Sequence, residues 1–118
     1  MISLELPYPP SVNHYWVHTK RGTFISEKGL LYRIAVKDVL AVSGIKKPLT
    51  GWLEISIKLY APDRRKRDID NGLKCLLDAF QKCGLVEDDH QFKRLTIERM
   101  DILEGCIEVY IKHYEVNL

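Results

Sequence analysis

The sequence predicts a single α/β (α+β) domain, residues 1–118, in which a mixed sheet of about four strands packs against two main helices. Three observations support this prediction. The 118 residues are 46% hydrophobic and 29% charged, which is the composition of an ordinary globular domain. Some segments alternate apolar and polar residues with the period of a strand, and two longer ones carry apolar residues at helical spacing. No linker, internal repeat or low-complexity tract divides the chain.

The chain begins with a predicted strand over residues 2–6, where apolar and polar residues alternate until Pro7 ends the pattern. Residues 7–24 keep no period and mix turn formers with the large aromatics Tyr15 and Trp16. We interpret this segment as an ordered loop with exposed functional groups. The two rings can stack on nucleic-acid bases or pack beneath the loop, and core packing is favoured for side chains of this size.

Two helices are predicted, and each ends at a glycine. The first is capped by Ser26 and runs to about residue 43, with Gly44 in the usual carboxyl-terminal position. The second covers about residues 71–83 and ends at Gly84. We expect the first to bury a stripe of Leu31, Ala35, Val39 and Val42, widened by Leu30, Ile34 and Leu40. The apolar positions of the second are Leu73, Leu76, Leu77 and Phe80.

The remaining strands lie in the second half of the chain. Residues 53–59 alternate most clearly, which predicts a strand with one wetter face. Two further strands are centred on Leu95 and Ile97 and on Val109, with residues 103–105 as the turn between them. We therefore expect the last two strands to pair as a hairpin.

Composition excludes several classes of protein. No run of about 18 apolar residues is present to span a bilayer, and the first residues lack the basic and apolar regions of a signal peptide. Three cysteines without a Cys-x-x-Cys motif argue against a disulfide framework or a zinc finger. We therefore expect a cytoplasmic protein with no membrane partner. The net charge of +2 is too small to establish a polyanionic partner, so the distribution of charge has to decide.

The densest cluster of charge lies between the strand at residues 53–59 and the second helix. Four consecutive cations there directly precede an Asp-x-Asp pair. If that pair is extended, both carboxylates converge on a hard cation such as Mg²⁺ or Mn²⁺ while Ile69 faces the core. The basic run is then placed to hold a phosphate backbone over the metal. The residues concerned are Arg64, Arg65, Lys66 and Arg67, followed by Asp68 and Asp70.

A second carboxylate pair, Asp88 and Asp89, follows the second helix. A helix of about 13 residues spans only about 20 Å, so returning loops can bring this pair near Asp68 and Asp70. Three or four carboxylates around one or two Mg²⁺ ions is an arrangement used for phosphodiester hydrolysis. The sequence therefore predicts a divalent-metal site built from both pairs.

Each part of this pattern also has a plainer interpretation. Asp70 is a suitable N-cap for the second helix, and Asp63 and Asp68 are placed to form ion pairs with neighbouring arginines. Lys74 lies one helical turn from both Asp70 and Asp78, so it can be a surface ion-pair partner only. Four adjacent cations are most often a solvated surface. The four histidines lack ligand spacing, and we assign them no metal.

Spacing excludes two other uses of the acidic motif. Counted from Asp68, the glycine of an EF-hand would come at position six and a glutamate at twelve, whereas Gly72 comes one place early and Ala79 occupies the twelfth position. A phosphoaspartyl phosphatase would place its nucleophilic aspartate directly after a strand, and here the basic run intervenes.

Several motifs together match a known family. They are Pro9-Pro10-Ser11-Val12-Asn13, the segment PDRRKRDIDN at residues 62–71, Lys74, and Asp88-Asp89 after Gly84. In these motifs and in the order of its elements, essentially the whole chain resembles the RusA family of Holliday junction resolvases. The resemblance implies a hydrolase, a Mg²⁺-dependent endodeoxyribonuclease for which Mn²⁺ is a possible substitute ion. It further implies a homodimer, encoded by a bacterium or a phage, that resolves four-way DNA junctions by paired symmetric nicks in DNA recombination and repair, with acidic residues from each subunit holding the metals.

The resemblance also assigns roles to residues of this chain. Asp68, Asp70 and Asp89 match the catalytic aspartates, and Lys74 matches a lysine needed for cleavage. Asp88 is the neighbour of the third aspartate, and the sequence leaves open which of the two binds metal more directly. Asn13 lies in a segment that contacts DNA or supports the dimer. The candidate DNA-binding residues are Arg64, Arg65, Lys66, Arg67, Asn13, Lys20 and Arg21, with Lys66 standing where the family carries an arginine.

Two alternative functions remain open at this point. One is a non-catalytic module that binds branched DNA, in which the acids cap a helix and pair with the arginines. The other is a metal-dependent nuclease that uses the same site on other branched or flapped DNA.

Overall fold

The computed structural model describes residues 1–115, so the predicted domain limit at residue 118 lies outside the described residues. Its centre is a mixed four-stranded sheet with helices packed on one face, which confirms the predicted α+β class with two main helices. A 3₁₀ turn, Asp89–Gln91, precedes the fifth strand. In chain order the elements are β1 (Ile2–Pro7), α1 (Val12–Tyr15), β2 (Trp16–Thr19), β3 (Gly22–Ile25), α2 (Glu27–Val42), β4 (Leu53–Tyr60), α3 (Leu73–Lys82), β5 (Phe92–Arg99) and β6 (Cys106–His113).

The sheet has the order β1-β6-β4-β5, in which β4 and β5 are parallel and the other pairs antiparallel. Strand pairing places Leu4 of β1, Val109 of β6 and Ile57 of β4 side by side. Because side chains alternate between the two faces of a sheet, all three point to the same face, where they are buried. They form one core with Val36 of α2 and Phe80 of α3. The helices therefore cover one face of the sheet, while polar residues occupy the other.

The predicted hairpin of the last two strands is wrong, because β4 lies between β5 and β6. The backbone N–H of Gly105 donates to the carbonyl of Tyr60 at 2.9 Å, so the connecting segment bonds to the end of β4 instead of closing a hairpin. Helix α3 supplies the long crossover that a parallel β4–β5 pair requires. Alternation identifies a strand but not its neighbour.

Of the stripe predicted for helix α2, only Leu40 is fully buried and Val39 packs partly against the core. The buried residues of α2 are Gly29, Tyr32, Val36 and Leu40, whereas Leu31 and Val42 are 58% and 91% exposed. The difference arises because the inward face begins with a glycine and a tyrosine, which an aliphatic pattern does not count. The Tyr32 hydroxyl donates to the carbonyl of Pro7 at 2.9 Å, so its polar end is satisfied inside the protein.

Residues 7–24, expected as a loop, contain α1 and a separate hairpin of β2 and β3. Elements of four residues are too short to show a period. Tyr15 is fully buried and meets Trp16 edge-on, with 5.0 Å between ring centroids, which confirms the preference for packing. Gly44 and Gly84 follow α2 and α3 with φ of +78° and +83°, as expected for helix ends.

No helix within residues 1–115 is long and apolar enough to cross a bilayer.

Candidate active site and nucleic-acid interface

A basic groove of about 780 Å³ opens at the carboxyl end of β4. Its walls combine the charged loop after β4 with residues from two other parts of the chain, Asn13 of α1 and Arg99 of β5. The predicted basic run therefore lines one groove together with Asn13 and Asp68. The main lining residues are Asn13, Arg64, Arg65, Lys66, Arg67, Asp68, Asn71 and Arg99.

Asp63 fixes the shape of this groove. Its carboxylate pairs with Arg67 at 2.8 Å and with Arg65 at 3.0 Å, which confirms the ion pairs expected for Asp63. Hydrogen bonds from Arg67 and then Arg65 hold the pKa of Asp63 well below its usual range. Within residues 1–115, Arg64 and Lys66 have no ion-pair partner and are exposed. Two cations therefore order the loop, and two are free to meet an anion.

The Asp-x-Asp pair forms a turn, so the condition under which both carboxylates would converge while Ile69 faces the core, an extended segment, is not met. The N–H of Asn71 donates to the carbonyl of Asp68 at 3.1 Å, and that of Leu73 to the carbonyl of Asp70 at 3.0 Å. The turn leads directly into α3 and leaves Ile69 45% exposed instead of facing the core.

The carboxylates of Asp68 and Asp70 are exposed and make no ion pair with any residue that the structure describes. The N-cap of α3 is Gly72, which has no side chain to accept a hydrogen bond, so the alternative role of Asp70 as N-cap is wrong. The alternative of Asp68 as an arginine partner is likewise not realised. Both carboxylates therefore remain available to a ligand.

Gly72 lets the amino-terminal loop pack against this turn. A Cβ at Gly72 would lie 2.5 Å from Cγ of Pro9, a distance that no real contact tolerates. The N–H of Val12 donates to the carbonyl of Asn71 at 3.0 Å and completes the junction. This contact brings Asn13 to the groove wall. Lys20 and Arg21 lie elsewhere, in the exposed turn between β2 and β3.

Lys74 lies in the first turn of α3 with an exposed side chain. The alternative of a surface ion pair with Asp78 is wrong, because Asp78 is occupied inside the protein. Its Oδ2 accepts from Arg33 at 2.8 Å and from the Tyr15 hydroxyl at 2.5 Å. Among residues 1–115 the Lys74 ammonium has no ion-pair partner.

The two members of the second acidic pair are held differently. The carboxylate of Asp88 accepts from the N–H of His90 at 3.0 Å, caps the 3₁₀ turn and pairs with the His90 ring at 3.1 Å. These hydrogen bonds lower the pKa of Asp88. Asp89 has no ion-pair partner in the part of the chain that the structure describes. Asp88 therefore stabilises the turn, and Asp89 has the freer carboxylate.

Gln91 is a buried polar residue that anchors this acidic turn, and the sequence reasoning missed it. Its Oε1 accepts from the N–H groups of Glu87 and Asp88 at 2.9 and 3.1 Å. Its Nε2 donates to the carbonyls of Leu49 and Gly51 at 2.9 and 3.1 Å. All hydrogen-bonding groups of one amide are thus used to fix the turn before β5.

Arg99 was also missed, although its position carries a signal. It is the last residue of β5 and pairs with Leu59, so it falls at an apolar position of the alternating pattern. Its guanidinium donates to the carbonyl of Arg67 at 2.7 Å. When a charged residue occupies a position in a strand where the alternating pattern calls for an apolar one, its side chain is expected to turn toward a polar partner outside the core.

The two acidic pairs lie at opposite ends of the β4–β5 ladder. Phe92, which follows the turn of Asp88 and Asp89, pairs with the first residue of β4, whereas Arg99 at the other end contacts the loop of Asp68. An eight-residue strand separates its ends by about 23 Å. Within residues 1–115, no group of three or more His, Cys, Asp or Glu side chains is close enough to hold a metal. One protomer therefore does not bring both pairs together.

Comparison with known proteins identifies the family. The family model described as endodeoxyribonuclease RusA matches residues 7–112. This chain belongs to the RusA family. Three relatives are named crossover junction endodeoxyribonuclease RusA. One from Enterobacteria phage HK97 is 39% identical over 80% of this chain and 78% of the relative. The relative from Shigella sonnei is 36% identical over 87% of this chain and 86% of the relative. The relative from Enterobacteria phage 82 is 36% identical over 86% of this chain and 85% of the relative.

The RusA match covers every part of the candidate site. Residues 7–112 include the proline-asparagine loop, the basic groove, α3 with Lys74 and both acidic pairs. The family resemblance inferred from the motifs is therefore confirmed.

Proposed function

We propose that this RusA-family protein is a divalent-metal-dependent endodeoxyribonuclease that resolves four-way DNA junctions as a homodimer. The observation that carries the proposal is that the groove holds cations without an ion-pair partner in residues 1–115 and opens beside the carboxylates of Asp68 and Asp70, which are exposed and likewise have no such partner there. The names of its relatives, from phages and a bacterium, support junction DNA as the substrate. A role in DNA recombination and repair in the bacterial cytoplasm follows from that substrate.

In this proposal the groove holds the phosphate backbone. Arg64 and Lys66 contact phosphates directly, because they are exposed and have no ion-pair partner within residues 1–115. Arg65 and Arg67 act mainly through Asp63, which fixes the loop on which all four cations lie. Asn13 contributes an uncharged hydrogen-bonding group from α1, a different element of the groove lining.

The carboxylates of Asp68, Asp70 and Asp89 suit Mg²⁺, or Mn²⁺ in its place, since both prefer oxygen ligands and none of the three is engaged in an ion pair within residues 1–115. When bound, the ion supplies Lewis-acid chemistry that lowers the pKa of a water molecule and offsets charge on the phosphate in the transition state. Asp88 holds Asp89 in position through the capped turn.

Lys74 is assigned to stabilising negative charge that develops on the phosphate or on the leaving oxygen. Lys74→Ala is expected to lower kcat about 100-fold, with junction affinity within twofold of wild type. Lys82→Ala removes an exposed lysine at the other end of α3 and serves as the matched control. Weaker junction binding with normal turnover in Lys74→Ala would contradict this role.

We further propose that each metal site forms between two subunits. We place the two-fold axis on the surface formed by α3 and the edge strand β5. Rotation about this axis would set the end of this surface that carries Asp89 in one subunit against the end that carries Asp68 and Asp70 in the other. An apolar patch on this surface supports such an interface. Ile69, Leu73 and Ile97 line one hollow there, and Leu95 on the same strand is 43% exposed. Strand β5 is also an edge of the sheet among the strands that the structure describes.

The test is cleavage of an end-labelled synthetic four-way junction by wild type and Asp70→Asn, with and without Mg²⁺, mapped on a denaturing gel. We expect symmetric nicks that require both the metal and Asp70, while the variant still binds the junction. Binding without cleavage in Mg²⁺ and Mn²⁺ would instead support the non-catalytic module. Competition with forks and linear duplexes separates a junction resolvase from a nuclease for other branched DNA.

A further inference from the structure

Within residues 1–115, the hairpin of β2 and β3 contributes no residue to the groove lining or to the two acidic turns. It forms a two-stranded sheet of its own, with Lys20 and Arg21 in the turn and the register pair Val17 and Phe24 on its strands. Both members of this pair are exposed, Val17 by 43% and Phe24 by 52%. Cζ of Phe24 lies 4.0 Å from a Cβ position built at Gly22, so the ring extends toward the basic turn.

The base of the hairpin is rigidly held. Ser26 donates from its hydroxyl to the carbonyl of His14 at 2.5 Å and from its N–H to the carbonyl of Tyr15 at 2.8 Å. Tyr15 in turn is bonded to Asp78 of α3 and to Arg33 of α2 at 2.5 and 2.9 Å. The base of the hairpin is therefore anchored to α2 and to α3, the helix that carries Lys74.

The charge of the segment that contains the hairpin indicates what kind of partner it binds. From Leu6 to Ser26 the sequence contains no aspartate or glutamate, and its only lysine and arginine are the two turn residues. A surface that joins two cations to an exposed aromatic ring complements a nucleic acid, which offers phosphates and base faces together. Linear duplex DNA hides its base faces by stacking, whereas a branch point or a kinked step exposes them.

We propose that this hairpin is a wedge that recognises the branch point of DNA: Phe24, supported by Val17, stacks on a base exposed there, and Lys20 and Arg21 bind the flanking phosphates. The proposal rests on the junction substrate proposed above and adds the element that distinguishes branched from linear DNA. The groove of Arg64 and Lys66 binds backbone of either kind, because phosphate contacts carry no information on branching.

The experiment measures binding by fluorescence anisotropy in EDTA, with a four-way junction and a linear duplex of equal length. Phe24→Ala is expected to weaken junction binding about tenfold and duplex binding less than twofold, and Phe24→Trp to restore the preference. Leu31→Ala, which removes another exposed apolar side chain, is the control and leaves both affinities unchanged. Wild type should also change the fluorescence of 2-aminopurine placed at the branch point, because Phe24 stacks on it, and Phe24→Ala should not.

Equal weakening on both DNAs, or no change on either, would overturn the wedge. So would a shift from dimer to monomer in sedimentation of Phe24→Ala, because Phe24 would then contact a second copy of the chain. Unchanged thermal unfolding shows that the variant is folded. If wild type cleaves junctions but Phe24→Ala keeps the full junction preference, only the wedge fails. If wild type prefers junctions through Phe24 but never cleaves, the nuclease proposal fails and the wedge stands.

Discussion

Asp88 and Asp89 are adjacent in the chain, yet their surroundings differ. The first caps a 3₁₀ turn and pairs with His90, while the second has no ion pair within residues 1–115. Asp89→Asn is therefore expected to reduce metal-dependent junction cleavage at least 100-fold, because it removes a proposed metal ligand. Asp88→Asn should keep most of the activity, since asparagine caps a turn about as well as aspartate. Rates are compared on one junction in Mg²⁺. Equal loss in both variants would contradict this division of roles.

The sequence predicted the chemistry of the site better than its geometry. The acidic and basic residues were found because their types and spacing are unusual, and Asp63 was expected to pair with arginine. The turn at Asp68 to Asp70 was not found, because the spacing of two aspartates does not distinguish an extended segment from a turn, and the packing of Pro9 on Gly72 joins residues more than 60 positions apart. Gln91 escaped because a single glutamine carries no pattern until its four partners are in place.

At the scale of the element, helix α2 gives the clearest test of packing. Leu40→Ala is expected to lower the free energy of unfolding by about 3 kcal/mol, because Leu40 is buried in the core and its removal leaves a cavity. Leu31→Ala should change it by less than about 0.5 kcal/mol, because Leu31 points to solvent. Urea unfolding measures both. A larger effect at Leu31 would restore the stripe predicted from the sequence and contradict the structure.

The elements themselves were predictable where they are long. All strands of the main sheet and both main helices were expected, since six or more residues suffice to show a period. Their pairing was not, because insertion of β4 between β5 and β6 is decided by which edges can be reached after α3 crosses the sheet. The short elements α1, β2 and β3 have too few residues for a pattern.

At the scale of the whole molecule, two buried tyrosines make the protein less stable at alkaline pH. Burial, with a smaller contribution from Asp78 at Tyr15, raises the pKa of Tyr15 and Tyr32 well above the ordinary value. Above about pH 10 the unfolded chain loses phenolic protons that the folded chain retains, so the free energy of unfolding falls as pH rises. We expect a loss of about 1.4 kcal/mol per pH unit for each of the two phenols.

Urea unfolding between pH 9 and 11.5 measures this loss. The phenylalanine of Tyr32→Phe cannot release a proton. This variant should therefore lose stability less steeply with pH, by about 1.4 kcal/mol per pH unit, which is the contribution of one phenol. A stability that stays constant over this range, or a slope unaffected by Tyr32→Phe, would contradict the assignment.

The central claim at this scale is that the active site forms between two subunits. Its acidic pairs lie at opposite ends of one sheet ladder and do not form a metal site within residues 1–115 of one protomer. The proposed two-fold dimer would bring unlike ends together, so each site would take Asp68 and Asp70 from one subunit and Asp89 from the other. This arrangement also provides the two sites that paired nicks require.

Subunit complementation tests this claim most directly. Asp70→Asn and Asp89→Asn chains, each with its own affinity tag, are coexpressed and purified as a heterodimer, and junction cleavage in Mg²⁺ is measured. If the sites are shared, one site of the heterodimer receives both substitutions and the other receives only unchanged residues. The heterodimer should then nick one strand, although both homodimers are inactive. Asp68→Asn paired with Asp70→Asn is the control and restores nothing, because both changes act from the same side. A heterodimer of Asp70→Asn and Asp89→Asn as inactive as its parents would contradict a site formed between subunits.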